Sequence, residues 1–285
     1  MRHIVACSAE PEPTFSRSTD VRGEHIFNPL EFDLAVLVLL ASIFWVSTWI
    51  GGYFRPSGSK SSHRLEGEDR EEFLFILGGT LTLLGLIIGF TFSMAVSRYD
   101  LRKQYEAEEA NTIGTEYNRV DLLSPADASK AHMLLRTYLN QRVLHYETRS
   151  GRRLEEIDEQ TGQLQTDLWS SVAGPAAAER TPINAIILTG MNEVLDSQGY
   201  AEAAAWNRVP LAAWSLLVII SIFCNFLVGY SLPGKRRFLS LILPIALSVS
   251  LFLIADIDSP RGGFIHVRPQ NLERLAQALQ PKQSQ

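Results

Sequence analysis

The sequence predicts an all-α integral membrane protein, with four transmembrane helices and a helical extramembrane bundle between spans two and three. Three observations predict it. Four long runs are apolar and contain no Asp, Glu, Lys, Arg or His. The stretch 98–208 repeats its apolar residues at helical spacing. No alternating pattern of useful length suggests a strand. The chain has 285 residues, 46% of them hydrophobic, and a formal charge of −5. That charge points to no polyanionic partner, and no basic patch suits nucleic acid.

Residues 1–33 read as a polar N-terminal tail. Ile4-Val5-Ala6-Cys7 resembles a lipoprotein cleavage site, but the apolar stretch before Cys7 is too short for a signal peptide. Cys7 and Cys224 are the only cysteines, one in the tail and one in a span, so no disulfide framework is expected.

Spans one and two are 34–54 and 73–96; spans three and four are 209–232 and 238–255. A helix needs roughly 20 apolar residues to cross the hydrocarbon core, and each run reaches or approaches that length. Trp45, Trp49 and Tyr53 in the first span, with Trp214 and Tyr230 in the third, suit an interfacial aromatic belt. Asn225 is a lone amide in span three and reads as interhelical glue. Four spans place both termini and 98–208 on one side. The basic residues near the span ends divide evenly between the two sides, so the positive-inside rule leaves orientation open.

The second span leads without a proline into polar sequence, so one helix is expected from Phe73 to about Leu123, roughly 75 Å long. Ala110, Ile113, Tyr117 and Val120 form an apolar seam on it. Arg98, Arg102 and Glu106 follow at i,i+4, and Arg102 with Glu106 reads as an intrahelical ion pair. Ser124-Pro125 reads as N-cap and first residue of the next helix, whose face is Leu135, Tyr138, Leu139, Val143 and Tyr146. Residues 150–153 break it. Another helix follows with Leu154, Ile157, Leu164, Leu168 and Val172 on one side, and "AGPAAAERTP" is expected to end it. Pro182 starts a further helix, and a separate polar helix leads to Arg208. The acidic run Glu155, Glu156, Asp158 and Glu159 reads as a solvated face.

The fourth span ends in "LIADIDSPRGGFIHV". Pro260 pushes Ser259 out of the α region, and Gly262-Gly263 allow a tight turn inside the C-terminal turn and tail, 257–285. Asp256 or Asp258 is expected to pair with Arg261 or with an amide, while "FIHV" turns back onto the bundle. A divalent-cation site on Asp256 and Asp258 is a second reading. It is weakened because calcium wants about six to eight oxygens. Catalytic signals are otherwise missing: no H-E-x-x-H, no Cys-His cluster, no G-x-S-x-G and no Walker loop. The expectation is a protein that is not an enzyme and carries no cofactor. An intramembrane hydrolase using Asp256 is the weakest alternative.

Three stretches carry a family resemblance: "EEANTIGTEYNRVDLL" (108–123), "MNEVLD" (191–196) with "NRVP" (207–210), and 253–267. Together they resemble the signatures of the bestrophin-like membrane proteins of bacteria and plants, a family classed as a domain of unknown function. The resemblance covers about residues 30–270. More distantly the chain is similar to bestrophins, which are pentameric anion channels. Their second span lines the pore, their helical domain is cytoplasmic, and an acidic calcium clasp follows their fourth span. The resemblance implies a homo-oligomer in the lipid bilayer, a pentamer by analogy, conducting anions. It also implies a multi-pass protein of the cell membrane, such as the bacterial inner membrane, with 98–208 and both termini cytoplasmic. Calcium at Asp256 and Asp258 would follow from the same source.

Against that background the second span offers a stripe of small and hydroxyl residues: Gly78, Thr82, Gly85, Gly89 and Ser93, with Phe92 beside it. It reads either as a pore-lining face with an aromatic constriction or as a helix-packing face. Arg98 and Arg102 are the nearest basic residues and read either as a ring at the pore mouth or as headgroup anchors. The alternative to a channel is a membrane-anchored helical sensor or scaffold with no transport activity.

Overall fold

The computed structural model describes residues 29–54, 67–231 and 238–280. They form eight α-helices and one 3-10 turn, with no strand among the described residues. The helices are α1 (Pro29–Tyr53), α2 (Gly67–Arg119), α3 (Pro125–Glu147), α4 (Gly151–Ala178), α5 (Pro182–Trp206), α6 (Leu211–Ser231), α7 (Leu239–Asp258) and α8 (Gln270–Ala278). The chain is an integral membrane protein: α1, α6, α7 and the first half of α2 are apolar and long enough to span a bilayer. The tail 1–28 and the two short loops lie outside the described residues.

Two cores stack along α2. In the membrane, Phe44, Leu84, Leu217, Cys224, Leu247, Leu251 and Ile254 pack together. Beyond it, Ile113, Leu135, Tyr138, Leu168, Val172, Met191 and Leu272 form the core of the bundle. A 53-residue α2 joins them, about 80 Å long at 1.5 Å per residue. Its buried residues keep one angular register throughout. Leu77, Leu84, Thr91 and Ala95 in the membrane align with Arg102, Glu106, Glu109, Ile113, Glu116 and Val120 beyond it.

α1 and α6 cross at van der Waals distance because neither backbone carries a side chain at the crossing. A Cβ on Gly51 would overlap Phe226 O, and one on Gly229 would overlap Thr48 O. Hydroxyls fasten the same seam. Ser47 Oγ donates to Ile222 O at 2.7 Å, and Thr48 Oγ1 contacts Asn225 Oδ1 at 3.3 Å. Asn225 is buried and also donates to Ser221 O. It is therefore the interhelical glue expected of a lone amide in lipid.

The bundle begins as expected. Ser124 Oγ accepts from Asp127 N with Pro125 at the first helical position, and Thr181 caps α5 in the same way. Three boundaries differ from expectation. α4 runs through Gly174-Pro175 to Ala178. Pro175 forfeits the N–H bond to Ser171 O, yet its fixed φ is helical and the chain completes one more turn, closed by Glu179 N donating to Pro175 O at 3.0 Å. α5 is one helix to Trp206 rather than two. Its buried face continues Met191, Val194, Ser197, Gln198, Ala201 and Ala204, too small and polar to show as an apolar stripe. The C-terminal segment holds more than a turn and a tail, because α8 docks Leu272 into the bundle core.

Glu116 meets α5 where Gly190 leaves it room: a Cβ on Gly190 would overlap Glu116 Oε2. The carboxylate is fully buried and neither oxygen has a hydrogen-bond partner. Arg119 approaches to 3.7 Å but turns to Glu193 at 3.1 Å. Burial pushes the Glu116 pKa up to about 8, with Arg119 opposing and Glu193 adding to the rise.

Two predictions follow from this packing. Gly51→Val should cost roughly 1–3 kcal/mol by forcing α1 from α6, whereas Gly162→Ala, which meets open space, should gain about 0.5–1 kcal/mol. Unfolding midpoints in detergent compare the two. A raised folded-state pKa stabilises fully below the ordinary glutamate pKa and is lost as pH rises through about 8. Wild-type stability should therefore fall from pH 6 to 8.5 relative to Glu116→Gln, by an amount on the order of 1–3 kcal/mol. Denaturant titrations at the two pH values read the difference, and parallel profiles would show that Glu116 does not titrate in this window.

Candidate functional site

The small-residue stripe of α2 faces away from the other described residues. Gly78, Thr82, Gly85, Gly89, Phe92 and Ser93 are all exposed, Phe92 at 38%. Nothing lies within 4 Å of the positions a Cβ would take at Gly78, Gly85 and Gly89. The stripe sits roughly 130° around α2 from the buried face. Packing within the protomer does not explain the small residues. Thr82 Oγ1 is used locally, donating to Gly78 O at 2.9 Å.

One turn past the membrane, Arg98 and Arg102 turn to the end of α7. Arg102 is 5% exposed, and its Nη2 donates to Asp258 O at 2.9 Å and its Nη1 to Ile257 O at 3.4 Å. It satisfies carbonyls left open at the helix C-terminus and places positive charge where the dipole favours it. Arg98 Nη1 stands 4.0 Å from Asp258 Oδ1. Arg102 does not pair with Glu106, as its spacing had suggested. Glu106 accepts from Asn271 N, Leu272 N and Asn271 Nδ2, at 2.8, 3.1 and 2.6 Å, and so caps α8.

The aspartates are taken by amides. Asp258 accepts from Val209 N through both oxygens, at 3.0 and 3.1 Å, just ahead of α6. A carboxylate unfavourable for its own helix end is thereby favourable for the next helix start. Asp256 accepts from Phe264 N at 2.7 Å and Ile265 N at 2.9 Å. Gly263 has φ +82°, and a Cβ there would overlap Asp256 Oδ1, so the turn needs glycine. Pro260 leads the turn, and Gly262 N donates to Ser259 Oγ. Val267 is buried and Ile265 packs on the membrane core, so the segment does fold back. With N–H donors on every carboxylate oxygen, these two residues are dressed as anion acceptors, and a cation would have to displace those donors. Arg261 pairs with neither aspartate.

Arg261 instead reaches the bundle, where spacing gave no sign of a site. Its Nη2 is 2.6 Å from His145 Nε2, and His145 Nδ1 is 2.8 Å from Asp158 Oδ1. Asp158 belongs to the acidic run read as solvated; it stays exposed, and from there one oxygen reaches the imidazole. Arg142, fully buried, pairs with Glu109, to which Tyr146 Oη also donates at 3.2 Å. A cavity of about 40 Å³ is bounded by Arg102, Arg142, His145, Glu202 and Arg261 among others. Burial, then Arg142 and Arg261, push the His145 pKa down to about 3, so the ring is neutral. These residues come from α2, α3, α4, α5 and the turn after α7. No sequence motif joins them, and the one available signal was the number of charged residues on otherwise apolar helical faces.

Comparison with known proteins gives the fold a place. A family model of the Bestrophin-like domain matches residues 41–272. No curated protein matches. A crystal structure of a bacterial Bestrophin homolog from Klebsiella pneumoniae, carrying one substitution, superposes with a TM-score of 0.60 at 13% identity. It covers 87% of this chain and 99% of that one. Another variant of that homolog gives 0.58 at 14% identity, covering 89% and 96%. A crystal structure described only as a membrane protein gives 0.60 at 13% identity, covering 87% and 97%. At these identities the likeness concerns the fold. The four spans, the bundle between the second and third, and the match over most of the chain place this protein in the Bestrophin-like family.

Proposed function

We propose that the protein is a homo-oligomeric ion channel of bestrophin type, with α2 facing the symmetry axis. The observation that carries this reading is the bare stripe of α2. A face of Gly78, Thr82, Gly85, Gly89 and Ser93 that stays exposed among the described residues suits the axis of an assembly, where small residues leave a conduit. Phe92, one turn from the bundle, is the constriction, and apolar rings of this kind gate by dewetting. Arg98 sits nearly two turns further on, on the opposite side of α2 from the stripe and turned to Asp258, and lends the mouth positive potential from behind. Arg102 adds to that field from behind, its guanidinium turned to the end of α7. Positive potential at the mouth favours anions, in line with the bestrophin resemblance, and a pentamer follows from the same resemblance. The protein is placed in the cell membrane, with the bundle and both termini in the cytoplasm. It is not assigned an enzymatic role.

The test is ion flux in liposomes holding the purified protein, comparing chloride, nitrate and potassium. Anion flux is expected, and Phe92→Ala should raise it ~10-fold, the equivalent of about 1.4 kcal/mol off the barrier. Gly89→Leu should lower it. Potassium flux in place of chloride flux would keep the channel and overturn its selectivity. Absence of flux for every ion, from folded oligomer, would favour a membrane-anchored helical sensor or scaffold, with the bundle as its partner-binding part.

A further inference from the structure

His145 of α3, Asp158 of α4 and Glu202 of α5 form a cluster that the channel reading does not use. One ligand atom from each lies within 4.8 Å of the other two. An imidazole with two carboxylates suits first-row divalent ions such as zinc or manganese, whereas calcium prefers an all-oxygen shell. The neighbouring cavity of about 40 Å³, bounded by His145 and Glu202 with Arg102, Arg142 and Arg261 and not by Asp158, has room for a water beside the cluster, since one needs about 10–15 Å³. Arg142 bounds the same cavity and has a buried Nη1 without a hydrogen-bond partner. It stands 3.7 Å from Glu202, but its charge is already matched by Glu109.

The cluster holds a side-chain cation. A guanidinium only donates, so the 2.6 Å contact makes His145 Nε2 the acceptor for Arg261. The ring proton then sits on Nδ1 and is donated to Asp158 Oδ1 at 2.8 Å. A metal at Nε2 would take the lone pair that Arg261 uses. A metal at Nδ1 would move the proton to Nε2, where it would face the Arg261 N–H. In both tautomers metal and arginine exclude each other.

We propose that His145, Asp158 and Glu202 form a binding site for a first-row divalent metal ion, and that Arg261 is its built-in competitor. Metal binds when the guanidinium withdraws. Arg261 belongs to the turn that Asp256 staples after α7, so binding releases that turn's grip on the bundle. Conversely, a fastened turn keeps the site closed. This proposal does not depend on conduction.

The test is calorimetric titration of the full-length protein in detergent with zinc chloride. Arg261→Gln should bind zinc at least ~10-fold more tightly than wild type, because no resident cation must leave first. Adding His145→Gln to that variant should weaken binding by roughly 100-fold. Zinc should raise the melting temperature of the single variant more than that of the double. If Arg261→Gln fails to fold, Arg261→Lys, which loses the planar fork, takes its place with the same expected direction. Binding no tighter than wild type in the arginine variant, or unchanged by loss of His145, would overturn the site.

Discussion

The Arg102 guanidinium against the last carbonyls of α7 is the contact on which the rest of the structure depends. It fixes where the fourth span stops and at what height along α2. With the helix end held there, Asp258 reaches the amide ahead of α6, and Asp256 reaches the two amides of the returning turn. One side chain thus sets the relative level of three spans at the membrane boundary. The contact is almost wholly removed from water. A guanidinium left there without acceptors would carry a desolvation cost of several kcal/mol, so the junction is made whole or not at all.

α2 extends this logic along its length. Below Ala95 its buried face is apolar and packs spans. From Arg98 on, the same face alternates charged and apolar residues, and the charged residues between them serve four different elements. Arg98 and Arg102 take α7, Glu106 takes α8, Glu109 takes Arg142 of α3, and Glu116 with Arg119 takes α5. Apolar packing tolerates sliding, but hydrogen-bonded charges do not. The charged positions therefore set the register of the bundle, and the apolar ones supply its cohesion.

The spans, the long second helix, the Ser124 cap and the seam from Ala110 to Val120 were legible because each rests on a local rule of length, period or capping. Arg102 and Glu106 were misjudged for a physical reason. At i,i+4 they look like a surface pair, and hydropathy assigns charge to solvent. Only the tertiary partners reveal that both lie on the buried face. Pro175 reads as a stop, but the helix closes only one turn after it, because a proline forfeits its own N–H bond while its carbonyl still accepts from Glu179 N. His145, Asp158, Glu202 and Arg261 were invisible, since three helices and a turn distant in sequence bring them together. The α2 stripe is visible as a pattern, but its exposure among the described residues follows only from how the other helices pack.

α8 has no cap of its own: Pro269 offers no side chain to its first amides, and Glu106 supplies the acceptor from α2. Nine residues are too few to hold a helix in water. Leu272 nevertheless belongs to the bundle core. Assembly during synthesis is constrained as a result. The second span emerges early, yet Glu106 remains a bare carboxylate and the core stays open until translation has passed residue 272. By then all four spans have been made, so the bundle is completed only after the membrane part can be in place. The order of synthesis is built into the fold as the order of closure.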